Sequence, residues 1–519
     1  MISGNTTPVN GGVRTSALRR IAHAAPATER SVLSLVRATQ RSAVMGLVAI
    51  TAVACTRNLP TSPTPTVATQ FTPTARQAAL LDTVGQRTFQ WFWDTTDPNT
   101  GLTPDRWPRK DFSSVAAIGF ALTAYPIGAE RGWVTRNAAA TRTLATLKYL
   151  YQLPQGPDAT GMAGYHGFYY HFLDFQQGRR FDKVELSTID TGLLLAGALF
   201  CQSFFVGNDV TEDGIRAYAD SLYRRVDWPW AATRAPALSH GWNPESGFII
   251  SDWKGYNEAM IAIVLGLGSP THPLDSEAWT AWTSTYQWRV FQGQPHLDFA
   301  PLFGHQYSHV WIDFRGIKDA YMREKGIDYF ENSRRAVVSQ RSYAIENPMG
   351  WRGYGANVWG LTASDGPFDG TMTIDGKSRE FHTYWARGVS ATERRDDGTI
   401  APTGAVSSIA FAPSLAIPAT VAMREQYGAV AFGQYGFLDA FNPTLRDTAA
   451  PLHHGRVDAT MGWGDTDYLG IDQGTILAML ENWRTEMVWK VMRTNPYMIR
   501  GLRRAGFTGG WLDKAPSSP

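Results

Sequence analysis

Residues 251–274 read SDWKGYNEAMIAIVLGLGSPTHPL, and this stretch decides the fold that we predict. Positions 259–267 are almost entirely apolar, and Gly266, Gly268 and Pro270 stand at the end of this run, so the pattern predicts a helix that ends abruptly. A helix without a polar face is typical of the interior of a large protein. Glu258 stands at its start, where a carboxylate can either cap the helix or serve a chemical function. This stretch alone leaves both interpretations open.

A second stretch repeats the layout. Residues 184–205 read VELSTIDTGLLLAGALFCQSFF, so Glu185 and Asp190 lead into another helix that is apolar nearly all round. Ser187 and Asp190 fit a capping box, which would account for both residues without any chemistry. Two interior helices that each begin with a carboxylate also provide what glycoside hydrolysis needs, one group for the leaving oxygen and one for water or carbon. We therefore predict Glu258 and Asp190 as the catalytic residues.

Two acid-containing loops extend this pattern. Residues 357–369, NVWGLTASDGPFD, predict either an Asx turn at Asp365 or a carboxylate on the rim of a cleft, with Trp359 as a platform for a sugar ring. Residues 463–473, WGDTDYLGIDQ, place Asp472 at the entrance of a third buried helix. Capping remains an alternative for each acid.

Composition excludes some classes of function. The chain of 519 residues is 44% hydrophobic and contains 19 Trp, which is typical of a large globular protein with an aromatic-lined cleft. It has 48 basic and 46 acidic residues, but six Arg and only one Glu lie in residues 1–55. The remainder is slightly acidic, which gives no support for nucleic-acid binding.

The N-terminal segment predicts export. Residues 43–54, AVMGLVAITAVA, follow several arginines and precede Cys55, as in the signal peptide of a bacterial lipoprotein. Ordinary secretion and a cytosolic start are the alternatives. We predict a signal peptide over 1–55, a Thr/Pro-rich linker over 56–76 and a catalytic domain over 77–510. The protein would be periplasmic or an outer-membrane lipoprotein.

The pattern along the chain predicts an all-α fold. Eleven to twelve helices are expected, including 76–94 and a strongly amphipathic helix over 472–492, with few strands. Residues 165–181 alternate aromatic and polar side chains and suggest a β-excursion or an aromatic loop. All-apolar and amphipathic helices in alternation favour an (α/α)6 toroid, a double ring of helical hairpins, with long aromatic loops at the cleft end.

Other chemistries find no motif. The histidines show no HExxH spacing, and Asp465 and Asp467 alternate like calcium ligands without the loop that would complete such a site. There is no GxSxG elbow, P-loop or dinucleotide fingerprint. We predict no metal and no cofactor.

Several long segments carry a family resemblance: GYNEAMIAIVLGLGSPTHPL, YGANVWGLTASDGP, DGTIAPTGAVSSIAFAP, YGFLDAFNP, YLGIDQGTILAMLENWRTEMVW and STIDTGLLLAG. Together they resemble the bacterial glycoamylase-like family, which includes the (α/α)6 endo-β-1,2-glucanases. The resemblance implies an inverting hydrolase of β-linked glucan and points to Glu258, in GYNEAM, and Asp190, in STIDT, as acids of the cleft. The chain departs from the family pattern at Glu486, where Gly is expected.

We therefore predict an exported hydrolase of β-glucan, most consistent with β-1,2 linkage, with Glu258 as general acid. Asp190 would support water activation or hold the sugar. The predicted substrate-binding residues are Glu185, Trp242, Tyr256, Trp359, Asp365, Trp463 and Asp472. The expected partner is a glucan, with a lipid anchor at Cys55 as the only membrane contact and a monomeric state. The alternatives are a non-catalytic glycan-binding lipoprotein on the same fold and an enzyme acting on another glucan linkage.

Overall fold

A computed structural model describes residues 71–516, which belong to one compact unit. The α-helices of this part of the chain are α1 (Ala75–Thr95), α2 (Val115–Glu130), α3 (Arg136–Gln152), α4 (Thr188–Phe204), α5 (Val210–Arg224), α6 (Trp228–Ala231), α7 (Met260–Gly268), α8 (Ala278–Thr283), α9 (Tyr307–Trp311), α10 (Ala320–Lys325), α11 (Tyr329–Glu346), α12 (Pro402–Val406), α13 (Pro413–Ala431), α14 (Gly470–Thr485), α15 (Met487–Met492) and α16 (Pro496–Arg504). Short 3₁₀ helices cover Leu302–His305, Ser407–Ala410 and Leu512–Lys514. The predicted helical character of the fold is confirmed.

The prediction of few strands is wrong. The strands are β1 (Arg106–Trp107), β2 (Ser113–Ser114), β3 (Gly164–Tyr165), β4 (Phe168–Tyr170), β5 (Phe172–Leu173), β6 (Leu186–Ser187), β7 (Gly241–Asn243), β8 (Gly247–Phe248), β9 (Trp288–Phe291), β10 (Gln294–Leu297), β11 (Ala363–Ser364), β12 (Gly370–Ile374), β13 (Lys377–Phe381), β14 (Trp385–Ala386), β15 (Gly388–Val389), β16 (Arg394–Arg395), β17 (Phe432–Gly433), β18 (Gly436–Phe437), β19 (Phe441–Asn442), β20 (Arg456–Asp458), β21 (Gly462–Gly464) and β22 (Tyr468–Leu469). Most are two or three residues long, too short for an alternating pattern to be read from sequence.

The predicted signal peptide over 1–55, its Cys55 and most of the linker over 56–76 lie outside the described residues. The boundaries proposed for the three segments therefore stay predictions. No helix within residues 71–516 combines the length and the apolar character that crossing a membrane requires.

The all-apolar helices form an inner series. Nearly every residue of α2, α4, α7 and α14 is buried, as expected for helices without a polar face. They are neighbours in the order α14, α2, α4 and α7. A second series lies outside them: α1 packs on α14, α3 on α2, α5 on α4, and α16 on α7. The distinction between apolar and amphipathic helices thus corresponds to an inner and an outer layer for α2, α4 and α7. It is wrong for the predicted amphipathic helix over 472–492, because α14 buries its polar residues with its apolar ones and lies in the inner series.

Glycines allow α2 and α4 to approach closely. A Cβ atom on Gly119 of α2 would lie 2.4 Å from the carbonyl oxygen of Leu193, and one on Gly197 of α4 would lie 2.1 Å from the carbonyl oxygen of Gly119. Both distances are much shorter than a van der Waals contact, and the atoms that each added Cβ would approach belong to the backbone. These two positions therefore set the spacing of the two central helices.

We expect Gly197→Ala to lower the free energy of unfolding by ~1–3 kcal/mol, because the added methyl group must push α2 and α4 apart. Urea unfolding followed by circular dichroism would measure this change. Gly85→Ala on α1 is the matched control, because its Cβ would meet only movable side chains, the nearest being Leu480 Cδ2 at 3.2 Å. An equal loss of stability in both variants would contradict the proposed close contact.

Short strands precede three inner helices and position neighbouring chain segments at their starts. β2 leads into α2, β6 into α4 and β22 into α14. β22 pairs with β1, and β2 pairs with β5. β6 lies at the centre of a five-stranded sheet in the order β3-β4-β6-β7-β8. Segments distant in sequence are thereby assembled at one end of the inner helices.

The predicted helix over 472–492 is interrupted. α14 ends at Thr485, and α15 begins at Met487 after Glu486, whose φ of 60° is left-handed. Glycine adopts this conformation most readily, so the observed break explains why the family pattern favours Gly at this position. The Glu486 side chain accepts a hydrogen bond from Arg315 Nη1 at 2.8 Å.

Candidate active site

Acids stand at the starts of three inner helices, as the sequence predicted. Asp190 is the third residue of α4, Asp472 the third of α14, and Glu258 lies in the turn just before α7. Neither α7 nor α14 has a side-chain cap at its N-terminus. Helix capping therefore does not explain Glu258 or Asp472.

Glu258 forms no ion pair among the described residues. Its side chain is partly exposed, and within residues 71–516 no other side chain forms a hydrogen bond or an ion pair with its carboxyl group. The low-polarity surroundings, and then the charge of Asp190, raise the pKa of Glu258 to about 7, although a backbone N–H opposes the shift. A carboxyl group of this kind is protonated near neutral pH and can donate its proton.

Asp190 belongs to a hydrogen-bonded cluster on α4 and the sheet beside it. Ser187 Oγ caps α4 by accepting the N–H of Asp190 at 3.2 Å, and it donates its own proton to the Asp190 carboxylate. His171 lies between two acids, with Nδ1 2.8 Å from Glu185 Oε1 and Nε2 3.6 Å from Asp190 Oδ1. The capping box is thus present in part, and Asp190 additionally faces a histidine.

The charges of this cluster are mutually stabilised. Burial disfavours a cation at His171, but Asp190 and Glu185 outweigh it and raise the pKa of His171 to about 10. Burial raises the pKa of Asp190, with the His171 cation opposing. Burial would also raise the pKa of Glu185, yet the His171 cation dominates and lowers it. His171 is therefore an imidazolium at neutral pH, and Glu185 is ionised.

Asp365 is held differently from the prediction. It is buried, and its Oδ2 accepts a hydrogen bond from Arg106 Nη1 at 2.6 Å and lies 3.2 Å from His454 Nε2. Burial disfavours its charge, but Arg106 and His454 overcome this effect and lower the pKa of Asp365. The expectation of a carboxylate on the rim of the cleft is wrong, because Asp365 is buried and the pairing of β1 with β22 accompanies its contact with Arg106.

Asp472 forms a pair with Asp439. The two carboxyl groups are close enough to share a proton, and both are almost completely buried. Asp439 Oδ2 also accepts the backbone N–H of Asp365 at 2.6 Å. Burial, together with the adjacent negative charges, raises the pKa of both Asp439 and Asp472. Two buried carboxyls in contact retain one proton between them and carry a single negative charge.

Tyr307 of α9 connects these groups. Burial, followed by the charge of Asp472 and then those of Tyr384 and Glu258, raises the pKa of its phenol well above the ordinary value. Glu258 is in turn influenced by the charge of Asp190, so the acids at the three helix starts are linked by electrostatic interactions. A partly exposed acid on one side and a proton-sharing carboxyl pair on the other are the elements of acid–base hydrolysis.

Comparison with known proteins identifies the family of this chain. The Glycoamylase family model, described as “Putative glucoamylase”, matches residues 251–496. A solved structure from Bacteroides uniformis with the same description is 30% identical, covers 85% of this chain and 100% of its own, and superposes with a TM-score of 0.71. The chain belongs to this glycoamylase-like family.

Other members of the family have named activities. An endo-β-1,2-glucanase from Chitinophaga pinensis, solved with sophorotriose and glucose, is 25% identical over 84% of this chain and 99% of its own, with a TM-score of 0.71. An exo-β-1,2-glucooligosaccharide sophorohydrolase from Parabacteroides distasonis is 28% identical over 464 residues, which are 82% of this chain. The chain spans about 57% of the length of that relative.

Two of the predicted sugar platforms in this family member are wrong. Trp359 and Trp463 are 1% and 0% exposed, so neither presents a ring face to a ligand. Trp463 lies on the central strand β21, where its Nε1 donates to His454 O at 3.0 Å. Both rings lie in the interior of the fold, where their apolar surface contributes to packing.

The two remaining aromatic predictions have different outcomes. Trp242 is partly exposed on β7, opposite Leu186 of β6, and its ring packs 5.4 Å from that of Tyr165. Tyr256 is buried, with its hydroxyl 3.3 Å from Ser333 Oγ and its ring stacked parallel to Tyr329. Trp242 therefore stays a candidate for substrate contact, whereas Tyr256 serves to pack the region behind Glu258.

Sequence reasoning missed residues that complete the site. These residues lie on loops, short strands or a short helix next to the predicted acids; they are His171, Arg106, Tyr307, Asp439 and His454. Asp439 lies in the YGFLDAFNP segment, so its position in a motif shared with the family could have indicated it as a site residue. The others follow no spacing that a single sequence reveals, because strand pairing brings them in.

One group of side chains could hold a metal ion. Asp365, His454 and Asp465 each offer a ligand atom, and these atoms lie within 4.8 Å of one another. Burial and the charge of Asp365 raise the pKa of Asp465, and despite burial the two acids raise that of His454. Sequence spacing suggested only Asp465 as a metal ligand, in combination with Asp467, and no motif connects it to His454 or Asp365.

Proposed function

We propose that this protein is a glycoside hydrolase that cleaves β-1,2-linked glucan with inversion at the anomeric carbon. The observation that carries the proposal is Glu258, a partly exposed acid whose raised pKa of about 7 keeps part of it protonated at neutral pH. Its electrostatic links to Asp190 and, through Tyr307, to Asp472 support a common site. Its relatives act on β-1,2-glucans or their oligosaccharides, by name, which supports the same substrate class here.

We propose an (α/α)6 toroid as the architecture that carries this site. The inner series α14, α2, α4 and α7, with the outer helices α1, α3, α5 and α16 against it, supports a double ring. In such a ring the helix starts face one end, where loops and short strands surround the substrate. The concentration of strands at the starts of α2, α4 and α14 supports this placement.

In the proposed mechanism, Glu258 protonates the glycosidic oxygen as the bond to the anomeric carbon breaks. The singly charged Asp439–Asp472 pair accepts the proton of the attacking water on the opposite side of the sugar ring. An inverting enzyme needs its two groups ~6.5–9.5 Å apart, so that this water fits between them. Tyr307, whose phenol is influenced by Glu258 and Asp472, marks the space between them.

The remaining predicted residues receive binding roles. Ionised Glu185 and the Asp190 carboxyl, both fixed by His171, accept hydrogen bonds from sugar hydroxyls. Trp242 offers a ring for stacking at the side of β7. Export, a lipid anchor at Cys55 and a monomeric state remain part of the proposal on the strength of the sequence alone.

Hydrolysis of linear β-1,2-glucan by the purified full-length protein tests the function. We expect short oligosaccharides whose newly formed anomeric configuration, followed by NMR in the first minutes, is α. β-1,3-glucan and α-1,4-glucan serve as comparison substrates and should remain intact. Calorimetric binding of β-1,2-glucan without turnover would instead identify a glycan-binding protein, and phosphate-dependent release of glucose phosphate would identify a phosphorylase.

A further inference from the structure

His454 lies between two buried carboxylates at distances typical of metal ligands. Its Nε2 is 3.2 Å from Asp365 Oδ2 and 3.5 Å from Asp465 Oδ1. Two ligand atoms that each lie ~2.0–2.2 Å from a shared zinc-type ion stand about 3–3.5 Å apart, which these separations match. The Asp365 and Asp465 side chains are 2% and 0% exposed.

Two polar atoms in this group lack a hydrogen-bond partner. Asp465 Oδ2 is buried and unpaired within the described residues, although Oδ1 accepts the N–H of Thr466 at 2.7 Å. His454 Nε2 approaches both carboxylates but makes no well-aligned hydrogen bond to either. A buried polar atom without a partner is costly, so both atoms indicate a missing ligand.

Charge points to a cation as that ligand. The carboxyl groups of the surrounding network are Asp105, Asp365, Asp439, Asp465, Asp467 and Asp472. Within residues 71–516, the guanidinium groups that form ion pairs with these acids are those of Arg106 and Arg109. The acids exceed the permanent cations, and a bound dication would reduce the excess without requiring that several acids be neutral.

The histidine is oriented for ligation by its neighbour. His454 Nδ1 lies 3.0 Å from His453 Nδ1, so one ring nitrogen is engaged in a hydrogen bond and the other points to the two acids. Metal-bound histidines are commonly fixed by such a bond at the second nitrogen. His453 is itself held by its backbone N–H, which donates to Pro367 O at 2.7 Å.

We propose that Asp365, His454 and Asp465 bind one divalent first-row metal ion, with Zn²⁺ or Mn²⁺ matching the mixed imidazole and carboxylate donors. Asp365 Oδ2 would share its lone pairs between the ion and Arg106. The ion connects the loop that carries His454 to Asp365, whose N–H donates to Asp439. It acts as a positioning element beside the carboxyl pair and goes beyond the proposed hydrolytic function.

Calorimetry on the full-length protein tests this site without reference to activity. The protein is treated with a chelator, dialysed and titrated with ZnCl₂ or MnCl₂, and the metal content of untreated protein is measured by mass spectrometry. We expect one ion per chain and a rise in melting temperature on binding. Absence of saturable binding for both metals would overturn the proposal and leave His454 as an imidazolium paired with two acids.

Variants locate the binding. Asp465→Asn and His454→Gln are each expected to weaken the metal at least ~10-fold. Asp458→Asn, which replaces a partly exposed acid on the neighbouring strand β20, is the matched control and should bind like wild type. Unchanged affinity in Asp465→Asn and His454→Gln, or equal weakening in all three variants, would place the ion elsewhere and refute the site.

Discussion

Glu258→Gln is expected to lower kcat on β-1,2-glucan by about 10³-fold, in the range ~10²–10⁴ that a general acid contributes. Glutamine preserves the shape of the side chain but has no proton to donate to the glycosidic oxygen. KM should change little, because Glu258 has no ion pair that substrate or protein would lose. Steady-state kinetics measured by reducing-end release would give both constants.

The pH dependence adds a second readout to the same variant. The pKa of Glu258 is about 7, so the wild-type enzyme should lose kcat/KM as pH rises through that value and the acid becomes ionised. The residual activity of Glu258→Gln should not show this alkaline decline. An aryl glycoside with an acidic phenol should also suffer far less from the substitution, because such a leaving group needs no proton.

The control is Glu425→Gln, which replaces an exposed acid on α13 and should retain full activity. If Glu258→Gln hydrolyses the polysaccharide as fast as wild type, the acid assignment fails. If it is inactive on the activated aryl glycoside as well, the loss reflects binding or folding rather than proton donation.

The sequence predicted those parts of the site that depend on helix periodicity. A run of apolar residues after an acid locates a buried helix start, and Glu258, Asp190 and Asp472 all occupy such positions. The direction of a Trp side chain follows from no such rule. Trp359 and Trp463 occur in loop-like sequence with many turn residues, yet both are buried by elements that are distant along the chain.

The paired acids show why the rest could not be predicted. Asp365 meets Arg106, and Asp472 meets Asp439, across sequence distances that no local pattern spans. Two-residue strands such as β1 and β22 create these meetings, and a ladder of that length leaves no alternation in the sequence. Local chemistry thus identified the candidate acids, whereas tertiary pairing decided which of them are free to react.

Asp439→Asn is expected to lower kcat by ~10²–10³-fold, because it destroys the carboxyl pair that is proposed to act as the base. An amide at position 439 cannot accept the proton of the attacking water. Burial, and then the charge of Asp472, raise the pKa of Asp439, and an amide at position 439 removes a buried acid that is costly to ionise. The substitution should therefore decrease activity without decreasing stability, as occurs when a strained functional group is replaced.

The stability change should itself depend on pH, and its sign separates this explanation from simple misfolding. The folded pair holds its shared proton to higher pH than free carboxyls do, so wild-type stability should fall as pH rises above ~4 towards the raised pKa values. Asp439→Asn lacks one of these groups and should gain stability relative to wild type at pH 8 compared with pH 5, measured by urea unfolding. Asp458→Asn, which replaces a partly exposed acid on β20, should match wild type in kcat. Full activity in Asp439→Asn would remove the pair from the mechanism. If the stability of Asp439→Asn relative to wild type is lower at pH 8 than at pH 5, the two acids do not share a proton.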